Sequence, residues 1–309
     1  MISIVRFVFI RFIVRIIWIG LLATFGIQLL LTFLPPKRVI DPRSTIQEKT
    51  IVQQWSTARY VDWLLMIAKG SPQVSDSVKG DWQTEELRKR AKNTLVLCWN
   101  AFILASLIGV VIGTIQATLN NEVVSGKKRG SVEFLTSFST LSLFFLSSIP
   151  AYIIAYFLFL VLKSESNLFL AVLALALGSG SAMDVLRLTS NVHDRELQSK
   201  YIENALACGL KTSGIVPLPG SVPWHAFRNS LITILPVTAY RLPLIVSSAL
   251  VVEVVFDLPG LGESLLNSLI QQDVPMVLTI ILISVVFVQI CVFLADICVY
   301  MLHPQKHMV

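Results

Sequence analysis

Apolar residues in this chain come in long runs, without the alternation of a half-buried strand or the three-and-four spacing of a surface helix. A helix crossing the hydrocarbon of a bilayer needs roughly 20 mostly apolar residues, and about six runs of that length occur. They cover 16–34, 94–118, 134–162, 168–188, 231–252 and 276–302. The first follows Arg6, Arg11 and Arg15 and stops at Pro35-Pro36. A signal peptide shares that basic start, but this run is longer and has no small-x-small cleavage site, so it reads as a span. Gly109 and Gly113 stand in GxxxG spacing in the second run, which predicts close helix packing, with homodimerisation as the alternative. Pro150, Pro236 and Pro243 predict kinks in their spans.

Composition agrees with the runs. Of 309 residues, 54% are hydrophobic and 14% charged, with a mean hydropathy of +0.73, which excludes a soluble globular protein. The net charge of +6 therefore speaks of membrane topology before it speaks of nucleic acid. With the N-terminus inside, the inner connections carry Lys127, Lys128 and Arg129, then Arg195, Lys200, Lys211 and Arg228. On the other side stand Lys163 and the segment 253–275, which has no Lys or Arg but holds Glu253, Asp257, Glu263 and Asp273. The expected class is an all-α membrane protein with both termini inside. Its expected divisions are 1–34 with the first span, 35–93 outside, and a core over 94–309.

Trp55, Tyr60, Trp63 and Trp82 are spaced through the outer segment, which reads as a small folded cap. Aromatics there are expected as interfacial anchors, with ligand contact as the alternative. Cys98, Cys291 and Cys298 lie in apolar runs and Cys208 in a polar stretch, with no CxxC pair, so reduced thiols are expected. His193, His225, His303 and His307 are scattered and predict no metal site.

The inner connection 189–230 is far longer than two antiparallel helices need. Within it Leu197, Tyr201, Ala205 and Leu210 recur at near-helical spacing, and Gly209 and Gly214 follow as breakers. An amphipathic helix over 198–211 is expected against the inner membrane face, where small Ala205 and Ala207 admit a partner; a surface helix without a partner is the alternative.

Residues 201–210, Tyr-Ile-Glu-Asn-Ala-Leu-Ala-Cys-Gly-Leu, resemble the coupling-helix signature of ABC importer permeases of the dipeptide, oligopeptide and nickel branch. Arg187-Leu188-Thr189 resembles the Arg-x-Thr that leads into it. Further marks follow in the family's order: Gly80-Asp81-Trp82, Asn93-Thr94-Leu95, Ser148-Ile149-Pro150, Phe227-Arg228-Asn229, Asp296 and Pro304. The stretch 251–262, Val-Val-Glu-Val-Val-Phe-Asp-Leu-Pro-Gly-Leu-Gly, is the most specific match. Leu206 and Cys208 stand where the family often has basic residues, and the chain runs several residues longer between Gly209 and Asn229, through Pro217, Pro219, Gly220 and Pro223.

The resemblance implies a permease subunit that moves peptides or similar small hydrophilic solutes across the cytoplasmic membrane of a bacterium by alternating access. It implies a second related permease, two cytoplasmic ATPase subunits and an extracytoplasmic solute-binding protein as partners, beside the lipid bilayer and without nucleic acid. ATP and Mg would be held by the ATPases, and this chain would carry no cofactor, metal or catalytic residue of its own. The residues agree, since Gly126-Lys127 lacks both the upstream glycine and the hydroxyl of a phosphate-cradling loop. ATPase contact falls to Tyr201, Glu203, Asn204, Ala205, Ala207, Gly209 and Leu210.

Arg241 is a charge within a span and so is expected on the translocation path, with Ser247 and Ser248, or else in an ion pair with an acid on a neighbouring helix. Glu253 and the turn Pro259, Gly260, Leu261, Gly262 are expected at the outer mouth. Transport of nickel, a metal chelate or a polyamine, in either direction, is the alternative within this class. A membrane scaffold or intramembrane enzyme is the alternative outside it; an enzyme would gather His, Asp or Glu within the spans, whereas Asp184 and Asp296 are expected toward the cytoplasmic ends of separate helices.

Overall fold

The computed structural model describes residues 2–32, 57–68, 82–121, 130–162, 167–210, 219–271 and 273–302. Twelve helices and no strand occur among them: α1 Ile2–Thr32, α2 Thr57–Ala68, α3 Trp82–Asn120, α4 Gly130–Ser148, α5 Ala151–Leu162, α6 Leu168–Gly178, α7 Ser181–Leu197, α8 Lys200–Ala207, α9 Val222–Ala239, α10 Leu242–Val255, α11 Leu261–Gln271 and α12 Val274–Leu302. Outside the described residues lie Pro35-Pro36, Trp55, Gly80, Asp81, the basic triplet at Lys127, Lys163, Lys211, Gly214, Pro217 and the tail with His303, Pro304 and His307.

Helix is the only open-ended backbone that satisfies its own polar groups in hydrocarbon. Three helices contain stretches long and apolar enough to cross alone, at 12–29, 85–120 and 274–297. Three more spans arise only if each of three bent helix pairs counts as one. The expected single helices over 134–162, 168–188 and 231–252 are therefore each broken.

The causes of the breaks differ. Between α4 and α5 the chain bends by 101° at Ile149-Pro150, where proline supplies no N–H and disfavours helix in the residue before it. Between α6 and α7 the bend is 50°, at Ser179-Gly180, and Gly180 takes a left-handed φ of 74°. The bend between α9 and α10 is 45°, at Tyr240-Arg241, just before Pro243. Pro236 lies inside α9 without ending the helix.

The chain divides into two units, one of residues 1–92 with 259–289 and one of 93–258 with 290–309. In the first, Tyr60 and Trp63 of α2 are buried with Leu278 of α12. The Tyr60 hydroxyl is 2.8 Å from Thr24 Oγ1, and Trp63 Nε1 donates to Thr279 Oγ1 at 3.4 Å. These aromatics are packed core, correcting their expected role as interfacial anchors. Arg90 of α3 bonds Glu86, Glu263 and Ser264, so an acid of the segment that lacks Lys and Arg is paired after all.

In the second unit small residues set the spacing. A Cβ on Gly109 would lie 2.7 Å from the Ala182 carbonyl oxygen, and one on Gly113 would lie 2.6 Å from that of Leu186. The GxxxG face thus meets α7 of the same chain at backbone contact. Gly178 meets Ala151 of α5 in the same way, its Cβ position 2.5 Å from the Ala151 Cα. His193 is buried on α7 with Nδ1 3.2 Å from Ser230 Oγ and Nε2 3.4 Å from Thr118 Oγ1, which joins α7 to α9 and α3.

Backbone cannot yield as a side chain can, so Gly113→Ala is expected to destabilise by about 1–3 kcal/mol. Gly26→Ala on α1, where a Cβ meets nothing within 4 Å, is the matched control and should leave stability unchanged or slightly raised. Thermal unfolding in detergent distinguishes the two.

Candidate functional site

Helix α8 is eight residues long, shorter than the expected 198–211, because its ends are fixed chemically. Ser199 precedes it in extended conformation, with its hydroxyl donating to the Glu196 carbonyl at 2.5 Å. At the other end Gly209 turns left-handed, with φ 82°. The Gly209 N–H then bonds the Leu206 carbonyl at 2.9 Å, and the Leu210 N–H reaches back to Ala205 at 3.1 Å. This is the paired hydrogen bonding of a glycine-capped helix end, which accounts for a Gly-Leu after the last helical turn. The cap also turns Leu210 onto the cluster of Leu197, Ile202, Val222 and Ala226, beside Leu206.

Of the expected stripe, Leu197 and Leu210 join this cluster and Ala205 is half-buried like Leu206, while Ile202 is buried in place of Tyr201. Tyr201 is exposed in ring but tied by its hydroxyl, which donates to Glu196 Oε2 at 2.6 Å. Asn229 of α9 donates its Nδ2 to the same oxygen at 3.2 Å. Burial, then this bond to a carboxylate, pushes the Tyr201 phenol above its ordinary value and keeps it a donor. Glu196 thus joins α7, α8 and α9. Sequence reasoning missed it, although its place five residues before Tyr201, across a Ser-Lys start signal, marks it as near the helix entrance.

Glu203, Asn204, Ala207 and Cys208 remain on the outward face, all exposed. Beside them a groove of about 710 Å³ opens between Tyr201, Ala205 and Leu210 on one wall and His225, Arg228, Asn229 and Ile232 on the other. Chemically this is a short, capped helix with an exposed polar face beside a groove lined by both polar and apolar side chains.

A second constellation gathers at two helix breaks. Arg241, the last residue before α10, places Nη1 2.9 Å from Asp184 Oδ2, in the first turn of α7. Both side chains are 36% exposed. Next to Arg241, the Tyr240 hydroxyl donates to Asp296 Oδ1 of α12. Asp184 lies in the first turn of α7, next to the α6–α7 break. Its contact with Arg241 is the ion pair with an acid on a neighbouring helix that was the alternative expectation for Arg241.

Ser247 and Ser248 lie one to two turns into α10 and return their hydroxyls to the carbonyls of Pro243 and Leu244, at 3.0 and 3.1 Å. Glu253 is buried at 1% exposure near the end of α10, rather than open at a mouth. That helix ends as α8 does: Asp257 takes φ 50°, its N–H meets the Val254 carbonyl at 3.4 Å, and Leu258 N–H bonds Glu253 at 2.9 Å. Pro259 and Gly260 then lead into α11, which begins with Leu261 and Gly262, so the expected turn is a helix start. Ser264 donates both N–H and hydroxyl to the Gly260 carbonyl.

Among the described residues no group of three or more His, Cys, Asp or Glu could hold a metal ion. The Gly209 cap yields a prediction. Space is open at its Cβ position, so a substitution there meets only the left-handed backbone cost of about 1–2 kcal/mol. Gly209→Val should raise hydrogen exchange across 200–210, while Gly209→Asn, which tolerates that conformation, should leave it near the original.

Comparison with known proteins agrees with these features. Residues 106–307 match the family described as binding-protein-dependent transport system inner membrane component. The chain is 25% identical over 291 residues to the oligopeptide transport system permease protein AppB of Bacillus subtilis, covering 87% of this chain and 86% of that protein. It is 28% identical over 217 residues to the dipeptide transport system permease protein DppB of the same organism, covering 66% and 64%. To the metal-staphylopine import system permease protein CntB of Staphylococcus aureus it is 25% identical over 253 residues, covering 80% and 76%. With a match across most of its length, the chain belongs to the inner membrane components of binding-protein-dependent transport systems.

Proposed function

We propose that this chain is one of two related permeases that together carry peptides or similar small hydrophilic solutes across the inner membrane, by alternating access driven by separate ATPase subunits. ATP and Mg belong to those ATPases, and a solute-binding protein delivers from outside. The observation that carries this reading is α8: its ends are capped, one face is bonded to α7 and α9, and Glu203, Asn204, Ala207 and Cys208 are left exposed for a partner. A helix held this firmly transmits a push as a rigid body, which is what a distant motor needs.

The basic residues Arg195, Lys200 and Arg228 lie at the α7–α8–α9 end, which supports a cytoplasmic place for α8 and both termini inside. The segment 35–93 then lies outside and 94–309 forms the core. In this reading Tyr201, Ala205, Gly209 and Leu210 shape and hold the ATPase contact, and Pro259, Gly260, Leu261 and Gly262 stand at the outer mouth. Arg241, Ser247 and Ser248 line the path, with Glu253 as a buried support beneath it. The similarity to a metal-staphylopine permease favours a metal chelate as the second reading of the solute.

Gly209→Trp, which keeps the spans but distorts the cap, should reduce nucleotide-binding protein recovered with tagged permease and abolish solute-stimulated ATP hydrolysis in proteoliposomes. Wild-type protein that brings no nucleotide-binding subunit out of the membrane, together with a silent Gly209→Trp, contradicts the proposal.

A further inference from the structure

We infer that Asp184 and Arg241 form an exchangeable ion pair that opens to bind both ends of a zwitterionic solute, Arg241 taking its carboxylate and Asp184 its ammonium. The inference rests on the peptide reading above and names the chemistry of its path.

The position comes first. The α6–α7 pair and the α9–α10 pair each break along their length, and the two charges sit at those breaks. With about 1.5 Å per residue, the 11 residues of α6 and the 14 of α10 each span less than a bilayer core, so both breaks fall at depth in their spans. Discontinuous helices of this kind are where membrane transporters bind charged groups, because freed backbone and helix ends collect there.

The exposure comes second. A charged pair 36% open within a span does not face lipid; such groups face a water-filled cavity or the interior of the assembly. At that exposure neither partner is sealed, so the pair can separate without stranding a charge in apolar surroundings. The residue before Arg241, Tyr240, is bonded to Asp296 of α12.

The exchange conserves charge. In the closed arrangement one ion pair joins α7 to Arg241; with a zwitterion between them there are two, Asp184 to ammonium and carboxylate to Arg241. A solute with one charge fills only half of this and leaves the other protein charge unpaired. The site therefore selects dipolar solutes and, on occupation, replaces a direct link between two helix breaks by a longer one.

The test uses the assembled transporter in proteoliposomes with its own ATPase and binding protein, and three probes: dialanine, N-acetyl-dialanine and dialanine amide. The binding protein is the same throughout, so a change of preference belongs to this chain. Asp184→Asn should lower dialanine transport about tenfold, the scale of one lost charged contact, while N-acetyl-dialanine, which has no ammonium, holds its rate. Arg241→Gln should do the same for dialanine while sparing the amide.

The exchanged variant Asp184→Arg with Arg241→Asp keeps an ion pair, so it should recover thermal stability yet remain defective for dialanine. Parallel loss for all three probes in the single variants, or full transport in the exchanged one, makes the pair structural only and overturns the proposal. A wild-type assembly that moves no peptide overturns the peptide reading and this site together; one that moves peptides with unaltered preference in the variants overturns the site alone.

Discussion

The link between Arg241 and Asp184 joins two places where spanning helices stop and restart. Each break frees backbone groups from the helix ladder, and each is a point at which a helix pair can change its angle. Tying one break to the other makes them interdependent, since the angle at Gly180 cannot alter freely while Asp184 holds the residue that starts α10. The Tyr240–Asp296 bond adds α12 to the same junction. The rest of the second unit is organised around this point: α3 presses its glycine face on α7, α5 receives Gly178, and His193 pins α7 between α3 and α9.

From the junction, α7 is also the route to α8. It runs from Asp184 at one end to Glu196 and Leu197 at the other. Glu196 accepts from Tyr201 and Asn229, and Leu197 joins Ile202, Val222 and Ala226 in one cluster. No flexible hinge intervenes between α7 and α8, only the Gln198-Ser199 corner, whose backbone N–H groups are bonded to Asp194 and Glu196. In the proposed role, a displacement at α8 reaches the ion pair through one helix and a few short contacts.

Much of this was legible in the sequence, and for physical reasons. Runs long enough to cross hydrocarbon announce themselves, and GxxxG announces close packing, so the helical class and a close contact of α3 could be read directly, though not that α7 is the partner. Gly209 was legible as a breaker, although the helix ends before it, at Ala207, rather than running on to 211. The bends at Ile149-Pro150 and Tyr240-Arg241 fall beside Pro150 and Pro243, where kinks were expected, whereas the break at Ser179-Gly180 was not legible, because the apolar run continues through it. Ile202 takes the buried place expected of Tyr201, because Tyr201 looks apolar by composition while its hydroxyl is held by a carboxylate. Glu196 stayed hidden, and so did which acid meets Arg241, because their partners lie far along the chain.

The central claim is that α8 and α7 move as one body. It is tested most directly by a pulsed electron resonance distance between a spin label on exposed Cys208 and one introduced by Asn191→Cys on the exposed side of α7, with the other cysteines replaced by Ser. The assembled transporter would be measured with and without ATP. A single narrow distance that stays the same in both states is predicted, and a distance that shifts or broadens on adding nucleotide would show α8 moving on its own and contradict the account.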